Sequence, residues 1–384
     1  MTVDRAVHLA VRSGTLCALT LGAAAATVAL ILRRRHTCRT SLITSTDVCV
    51  EQLLTVIITT SPTQSNPSTK MLERVVASFA NVPLLQACQK VIVCDGYNVR
   101  NSRRSHKGGV ILPEEESRYR EYVDRIRELC RTDASFRDAT VLLLPSRHGF
   151  GWAVREALSA VTTPFVIVVQ HDRAFLRACN LLPLLAALRS HAQDVKYIML
   201  PNRLTKNYQQ TMAAVHKTHL VPAQHGRVLL LPLWHWFDST HLASVEHYQR
   251  CVFGSGHVRR GDFIEDSFGI HVKRDVLANG SGEHAKYGTW LLCDPVLGME
   301  PVVGHLDARG CWAKWADEAD AAMSVRRSQS VTKADKQAAK RAAQQKSREK
   351  AALRGLGADA AELKGRGGYF CQLAQLAPTP PNSG

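Results

Sequence analysis

Phe165-Val166-Ile167-Val168-Val169 runs without a polar residue from Pro164 to the triplet Gln170-His171-Asp172. A short, β-branched run that is apolar at odd and even positions alike fits a strand covered on both faces, as in a parallel sheet flanked by helices. Leu53 to Ser61 reads the same way and ends in a Pro/Asn/Ser turn cluster. Lys90 to Cys94 is a further strand, stopped by Asp95-Gly96, and Ala139 to Leu144 is another. Helical spacing lies between them. Ser68 to Phe79 puts Leu72, Val75, Val76 and Phe79 on one face, and Glu114 to Cys130 does so with Tyr119, Tyr122, Val123, Ile126 and Leu129. Gly151 to Ala160 is a third helix. The expected fold class is α/β, a Rossmann-like and mostly parallel sheet flanked by helices. The chain has no internal repeat.

Composition decides what the ends of the chain are. With 45% hydrophobic and 21% charged residues, the 384-residue chain is neither disordered nor fibrous. Its net charge of +16 is concentrated: residues 326 to 354 carry +8 and Arg33, Arg34, Arg35 and Arg39 another +4. The body is near neutral, which argues against general nucleic-acid binding. Gly14 to Leu32 is a nineteen-residue run without a charge, long enough for the roughly 30 Å of a bilayer core. Residues 1–39 are therefore expected to be a membrane anchor with a basic flank. A transit peptide is the competing reading, since Asp4 is the only acidic residue before Asp47. The arginines after the run would hold the body in the cytoplasm, whereas the sequon Asn279-Gly280-Ser281 points to a lumen. Residues 40–318 form the expected catalytic body, with a nucleotide-binding half over about 53–180 and an acceptor half over about 181–318. Residues 319–384 read as a basic, low-complexity tail suited to polyanion contact. None of the eleven cysteines has CxxC spacing, so zinc-ribbon and thioredoxin-type sites have no support.

Ligands of open α/β sheets sit beyond the carboxyl ends of the strands. Those ends here supply Thr59-Thr60-Ser61, Asp95-Gly96, Arg147-His148-Gly149 and Gln170-His171-Asp172. Asp95 is placed to accept hydrogen bonds from a base, and Asp172 to hold a cation on a diphosphate. An ordinary turn accounts for Asp95-Gly96 equally well.

Thr55 to Thr60, Val91 to Gly96, Gly149-Phe150-Gly151-Trp152-Ala153 and Val166 to Asp172 occur in the order of the nucleotide-binding half of GT-A glycosyltransferases, and the chain resembles the inverting family 2 type over about residues 53 to 180. The resemblance implies a nucleotide-sugar donor bound by Thr59, Thr60, Ser61, Asp95, Gly96, Gly149, Gly151, Gln170 and His171. It also implies a divalent cation, Mn or Mg, on Asp172, and a membrane setting in the Golgi or endoplasmic reticulum. One departure is plain: Gln170 stands where the family's metal motif has its first acid. Farther on, Glu265-Asp266 resembles the acidic pair of the acceptor side. Displacement at an anomeric carbon needs a carboxylate to take the acceptor proton, which the resemblance puts on Asp266, with Glu265 as the alternative. A helix-start acidic cluster is the bland reading of the same pair.

The histidines His257, His271, His284 and His305 and the aromatic runs Trp234 to Asp238 and Lys286 to Trp290 fit either packing or ligand contact. The leading expectation is a membrane-anchored glycosyltransferase acting on a glycan, lipid or protein acceptor. A nucleotidyltransferase is a second reading, though Ser61 to Pro67 lacks the glycine and basic residues a triphosphate loop wants. A non-catalytic scaffold of the same fold, with a polyanion-binding tail, is the third.

Overall fold

The computed structural model describes residues 50–101, 109–294 and 296–306. The expected anchor (1–39) and basic tail (319–384) lie outside the described residues. Among the described residues no helix is long and apolar enough to cross a membrane.

The strands in chain order are β1 (Leu54–Thr60), β2 (Gln89–Cys94), β3 (Asn98–Val99), β4 (Val110–Ile111), β5 (Thr140–Leu143), β6 (Phe165–Gln170) and β7 (Arg173–Phe175). They continue with β8 (Tyr197–Met199), β9 (Ala223–His225), β10 (Val228–Pro232), β11 (His241–Ser244), β12 (Thr289–Cys293) and β13 (Val303–His305). Nine of them form one sheet in the order β5-β2-β1-β6-β11-β8-β12-β10-β9. The first four are parallel, with Thr60 opposite Cys94, Cys94 opposite Leu143 and Thr59 opposite Gln170. Their carboxyl ends therefore finish level on one edge. Strand β11 runs against both neighbours, β12 follows β8 in parallel, and β10 is reversed again. Only β10 and β11 oppose the common direction, so the mostly parallel sheet is as expected. The reversal at β11 decides the site: His241 pairs with Val168, so the residues just before β11 arrive beside the end of β6.

Side chains alternate across the sheet with period 2. Leu54, Val56 and Ile58 of β1 and Ile167 and Val169 of β6 face one buried cluster, which Tyr119, Tyr122, Val123 and Ile126 of the helix Pro113–Thr132 complete. Ile57, Val166 and Val168 face the other, covered by Ala153, Val154, Ala157 and Leu158 of the helix Gly149–Leu158. Both faces are buried, and this is why these strands lack polar alternation. The long helix starts where Pro113 takes the first helical position and Glu115 accepts the Leu112 N–H at 2.9 Å. The helix after β5 begins at Gly149, two residues before the expected start.

The aromatic run Trp234 to Phe237 is mainly core. Trp236 is fully buried, 4.2 Å from the Tyr197 ring and 5.0 Å from Tyr248. Trp290 is buried on the other face, 4.5 Å from His225.

Candidate functional site

A cavity opens at the level edge where the parallel strands end. Thr59, Thr60 and Ser61 line it from β1, Asp95 and Gly96 from β2, and Gln170, His171 and Asp172 from β6. Arg147, Gly149 and Phe150 close it from the loop and helix after β5, and Gly261 and Phe263 from a distant segment. Every expected donor-binding residue is present in this lining except Gly151. A Cβ on Gly151 would stand 3.0 Å from Val258 Cγ1 and from Ile264 Cγ1, so this glycine lets the helix pack on the distant segment. The Thr60 hydroxyl is committed to Tyr122 Oη at 2.9 Å and acts as wall.

Asp95 is buried, and its two carboxylate oxygens accept the His148 N–H at 2.7 Å and the Gly149 N–H at 3.0 Å. Burial pushes its carboxyl up, and these backbone hydrogen bonds pull it part of the way back. Its first task is to hold the loop after β5 against the end of β2. Contact with a base would use its remaining lone pairs. Gly149 sits at φ +76°, and a Cβ there would fall 2.7 Å from Gly261 Cα, so both the turn and the close approach require glycine. Gly261 N–H in turn donates to His148 O at 2.6 Å, and Arg147 Nη2 donates to Gly261 O at 3.1 Å. The loop after β5 and the segment 259–262 are thus laced together across the cavity mouth.

Asp172 lies just past β6. Strand β13 pairs antiparallel with β7, with His305 opposite Arg173, and the Leu306 N–H donates to Asp172 O at 2.8 Å. This ribbon brings His305 Nε2 to 3.1 Å from Asp172 Oδ2. Burial alone would raise the Asp172 carboxyl. The His305 hydrogen bond and the charges of His171, His305 and Arg173 outweigh that and hold it well below the usual carboxylate range. Asp172 Oδ1 is buried and has no hydrogen-bond partner among the described residues. A buried carboxylate oxygen without a donor fits a divalent cation such as Mn or Mg, while His305, spent on the other oxygen, steadies the carboxylate. Among the described residues no group of three His, Cys, Asp or Glu side chains is arranged to hold a metal, so diphosphate oxygens and water would complete the shell. In the sequence His305 is one histidine among several. Its signal is topological, because nothing local marks it.

Neither member of the acidic pair lines this cavity; Glu265 reaches it through Asp238. Glu265 Oε2 accepts the Asp238 N–H at 3.1 Å, and Gln170 Nε2 donates to Asp238 O at 2.5 Å. Burial pushes the Glu265 carboxyl up, the Asp238 N–H pulls it down, and the charge of Asp266 pushes it up again; the net direction is upward. Asp238 is fully buried beside it and is driven up by burial and then by Glu265. Asp238 was missed in the sequence because it closes an aromatic run that reads as core. Asp266 points elsewhere: it is exposed and lines a separate cleft with His257, Arg259, Asp262 and His271. Of the acidic pair, Glu265 is linked to Gln170 through the Asp238 backbone, and Asp266 lies on the outer face. The His257 and His271 rings stack at 3.9 Å in that outer cleft, and His284 Nε2 lies 2.6 Å from Thr289 O.

No family model matches the sequence, and no curated protein matches it. Among solved structures, the chain is similar to S. aureus TarS at 14% identity, with 66% of this chain and 36% of that one covered and a TM-score of 0.37. It is similar also to the mannosyltransferase PcManGT from Pyrobaculum calidifontis, solved with GDP-Man and Mn2+, at 14% identity over 78% of this chain and 70% of that one, TM-score 0.39. A CMP:2-keto-3-deoxy-manno-octonic acid synthetase complexed with CTP is similar at 12% identity over 71% of this chain and 99% of that one, TM-score 0.35. The chain thus spans little more than a third of the length of TarS.

Proposed function

We propose that this chain is a glycosyltransferase that moves a sugar from a nucleotide-sugar to an acceptor hydroxyl, with Glu265 as the general base. The observation that carries the reading is the link of two carboxylates to one strand end, one directly and one through Asp238. Asp172 lines the cavity beside His305, and Glu265 is joined to Gln170, the residue two before Asp172, through Asp238.

Thr59, Ser61 and the loop held by Asp95 form the nucleotide wall. As the acceptor oxygen bonds to the anomeric carbon, the bond from that carbon to the diphosphate breaks and its electron pair leaves with the nucleoside diphosphate. The hydroxyl proton passes to the Glu265 carboxylate. A carboxylate raised by burial is a stronger proton acceptor than a solvated one, which suits that task. Asp172, steadied by His305, would hold a divalent cation able to neutralise charge on the departing diphosphate. The acceptor is a glycan, lipid or protein hydroxyl. Residues 1–39 anchor the body to a Golgi or endoplasmic-reticulum membrane in this reading, and 319–384 supply polyanion contact. Deleting 1–39 should release the protein from membranes, and continued pelleting would remove the anchor.

The test is a melting-temperature panel of nucleotide-sugars with and without Mn²⁺, followed by donor turnover. A ligand that binds the native state raises the melting temperature by mass action. At least one donor should do so in a cation-dependent way and be consumed. A panel with neither shift nor turnover would overturn the reading.

A further inference from the structure

We propose that Gln170 is a positioning residue for Glu265, and that an amide occupies this place because the site requires a hydrogen-bond donor there. The inference rests on Glu265 being the base. Gln170 ends β6, and the reversed strand β11 carries Asp238 to its side. The Gln170 Nε2 group donates to Asp238 O at 2.5 Å, while the N–H of the same residue, Asp238, donates to Glu265 Oε2 at 3.1 Å. One backbone residue is therefore gripped at its carbonyl by the donor half and grips the base with its amide.

A carboxylate at position 170 has no proton to offer at neutral pH. It would face the Asp238 carbonyl oxygen, acceptor against acceptor, in a neighbourhood that already holds the Asp238 and Glu265 carboxyls. The charges that act on Glu265 are those of Asp238, Asp266 and Arg173, and of these only Arg173 is cationic. An added anion would find little compensation, and the Asp238 peptide would lose its tether.

The experiment compares Gln170→Glu and Gln170→Asn with the native chain in donor titration, kcat and the pH profile of kcat. Glu restores the acid of the metal motif but cannot donate. Asn keeps the amide but is one carbon–carbon bond shorter and falls short of Asp238. Gln170 lines the cavity, so both variants should lose some donor affinity, but kcat at saturating donor should fall further, by roughly the 10²-fold that an ångström of misplacement costs. In both, the acid limb of kcat should move to higher pH, because a loosened Asp238 N–H no longer stabilises ionised Glu265. A Gln170→Glu chain with tighter cation-dependent donor binding and undiminished kcat would overturn the proposal. So would an Asn variant whose donor affinity and kcat fall together with an unmoved pH profile. A native chain that turns over no nucleotide-sugar would instead overturn the reading beneath it, and this inference with it.

Discussion

Asp172 and His305 stand 133 positions apart and meet at 3.1 Å because a two-stranded ribbon pins the end of the described chain against the end of β6. The contact spends one carboxylate oxygen and leaves the other without a donor. If the pair holds a cation, His305→Ala should weaken Mn²⁺-dependent donor binding by roughly the 10–100-fold typical when support of a metal site is lost. Asp172→Ala should weaken it at least as much. Donor titration at several Mn²⁺ concentrations reads this directly, and a chelator should mimic both variants in the native chain. Cation-independent donor binding of native strength in either variant would take the metal away from this pair.

The two neighbouring acids separate by position. Glu265 is joined to Gln170 through Asp238, whereas Asp266 faces the outer cleft. Glu265→Gln should bind donor normally and lose turnover by roughly 10²–10⁴-fold, the span of general-base catalysis. Asp266→Asn should change turnover by less than about tenfold, because its side chain lines another cavity. The base must be ionised, and its carboxyl is raised, so native turnover should fall with decreasing pH sooner than an ordinary glutamate would dictate. Equal losses in the two variants would return the role to Asp266.

The parallel part of the sheet was legible because its signals are local. Strands buried on both faces announce themselves as apolar runs, and the residues that follow them are by construction at the ligand edge, as Thr59, Asp95 and Asp172 are. The part of the sheet beyond β6 was not. Strand β11 is only His241-Leu242-Ala243-Ser244, too short and mixed to announce a strand, yet its reversal brings Asp238 to Gln170. His305 likewise depends on pairing between β13 and β7, which no period in the sequence encodes. Glu265 and Asp266 were found as a pair, but which of two adjacent acids faces inward is set by the helical turn Glu265–Gly269 that follows. Asp95 lines the cavity, but its oxygens already hold backbone N–H groups, a duty that only the folded loop after β5 reveals.

Gly149 joins conformation to function. Its φ of +76° and the 2.7 Å approach to Gly261 leave no room for a Cβ. Gly149→Ala should cost about 1–3 kcal/mol of stability, from strain and a displaced loop. It should also weaken donor binding, because the same loop carries Arg147 into the cavity. Chemical denaturation and donor titration on one preparation check both effects. A variant of native stability and affinity would mean that the 259–262 segment yields freely.

A last expectation concerns acid. His247 is buried, and its Nε2 has no hydrogen-bond partner among the described residues. Burial, followed by the charge of Lys196, lowers it from the ordinary histidine value to about 3. The folded chain therefore keeps this ring neutral over a range where the unfolded chain, with a value near 6.5, takes up a proton. The sign follows: below about pH 6.5 the unfolded state binds the extra proton, and stability is lost as pH falls until the folded value is reached. The slope from this one group is about 1.4 kcal/mol per pH unit. His235 and His241 are lowered in the same direction, to about 3 and about 4, while the raised carboxyls of Asp95, Asp238 and Glu265 act oppositely. The slope of the native chain alone would mix them all. Comparing it with His247→Leu by urea denaturation at pH 7, 6 and 5 isolates this ring. The variant should gain on the native chain by more than 1 kcal/mol between pH 6 and 5, whatever its offset at pH 7. A difference between the two chains that stays constant from pH 7 to 5 would show that His247 takes its proton in the folded state as readily as in the unfolded one.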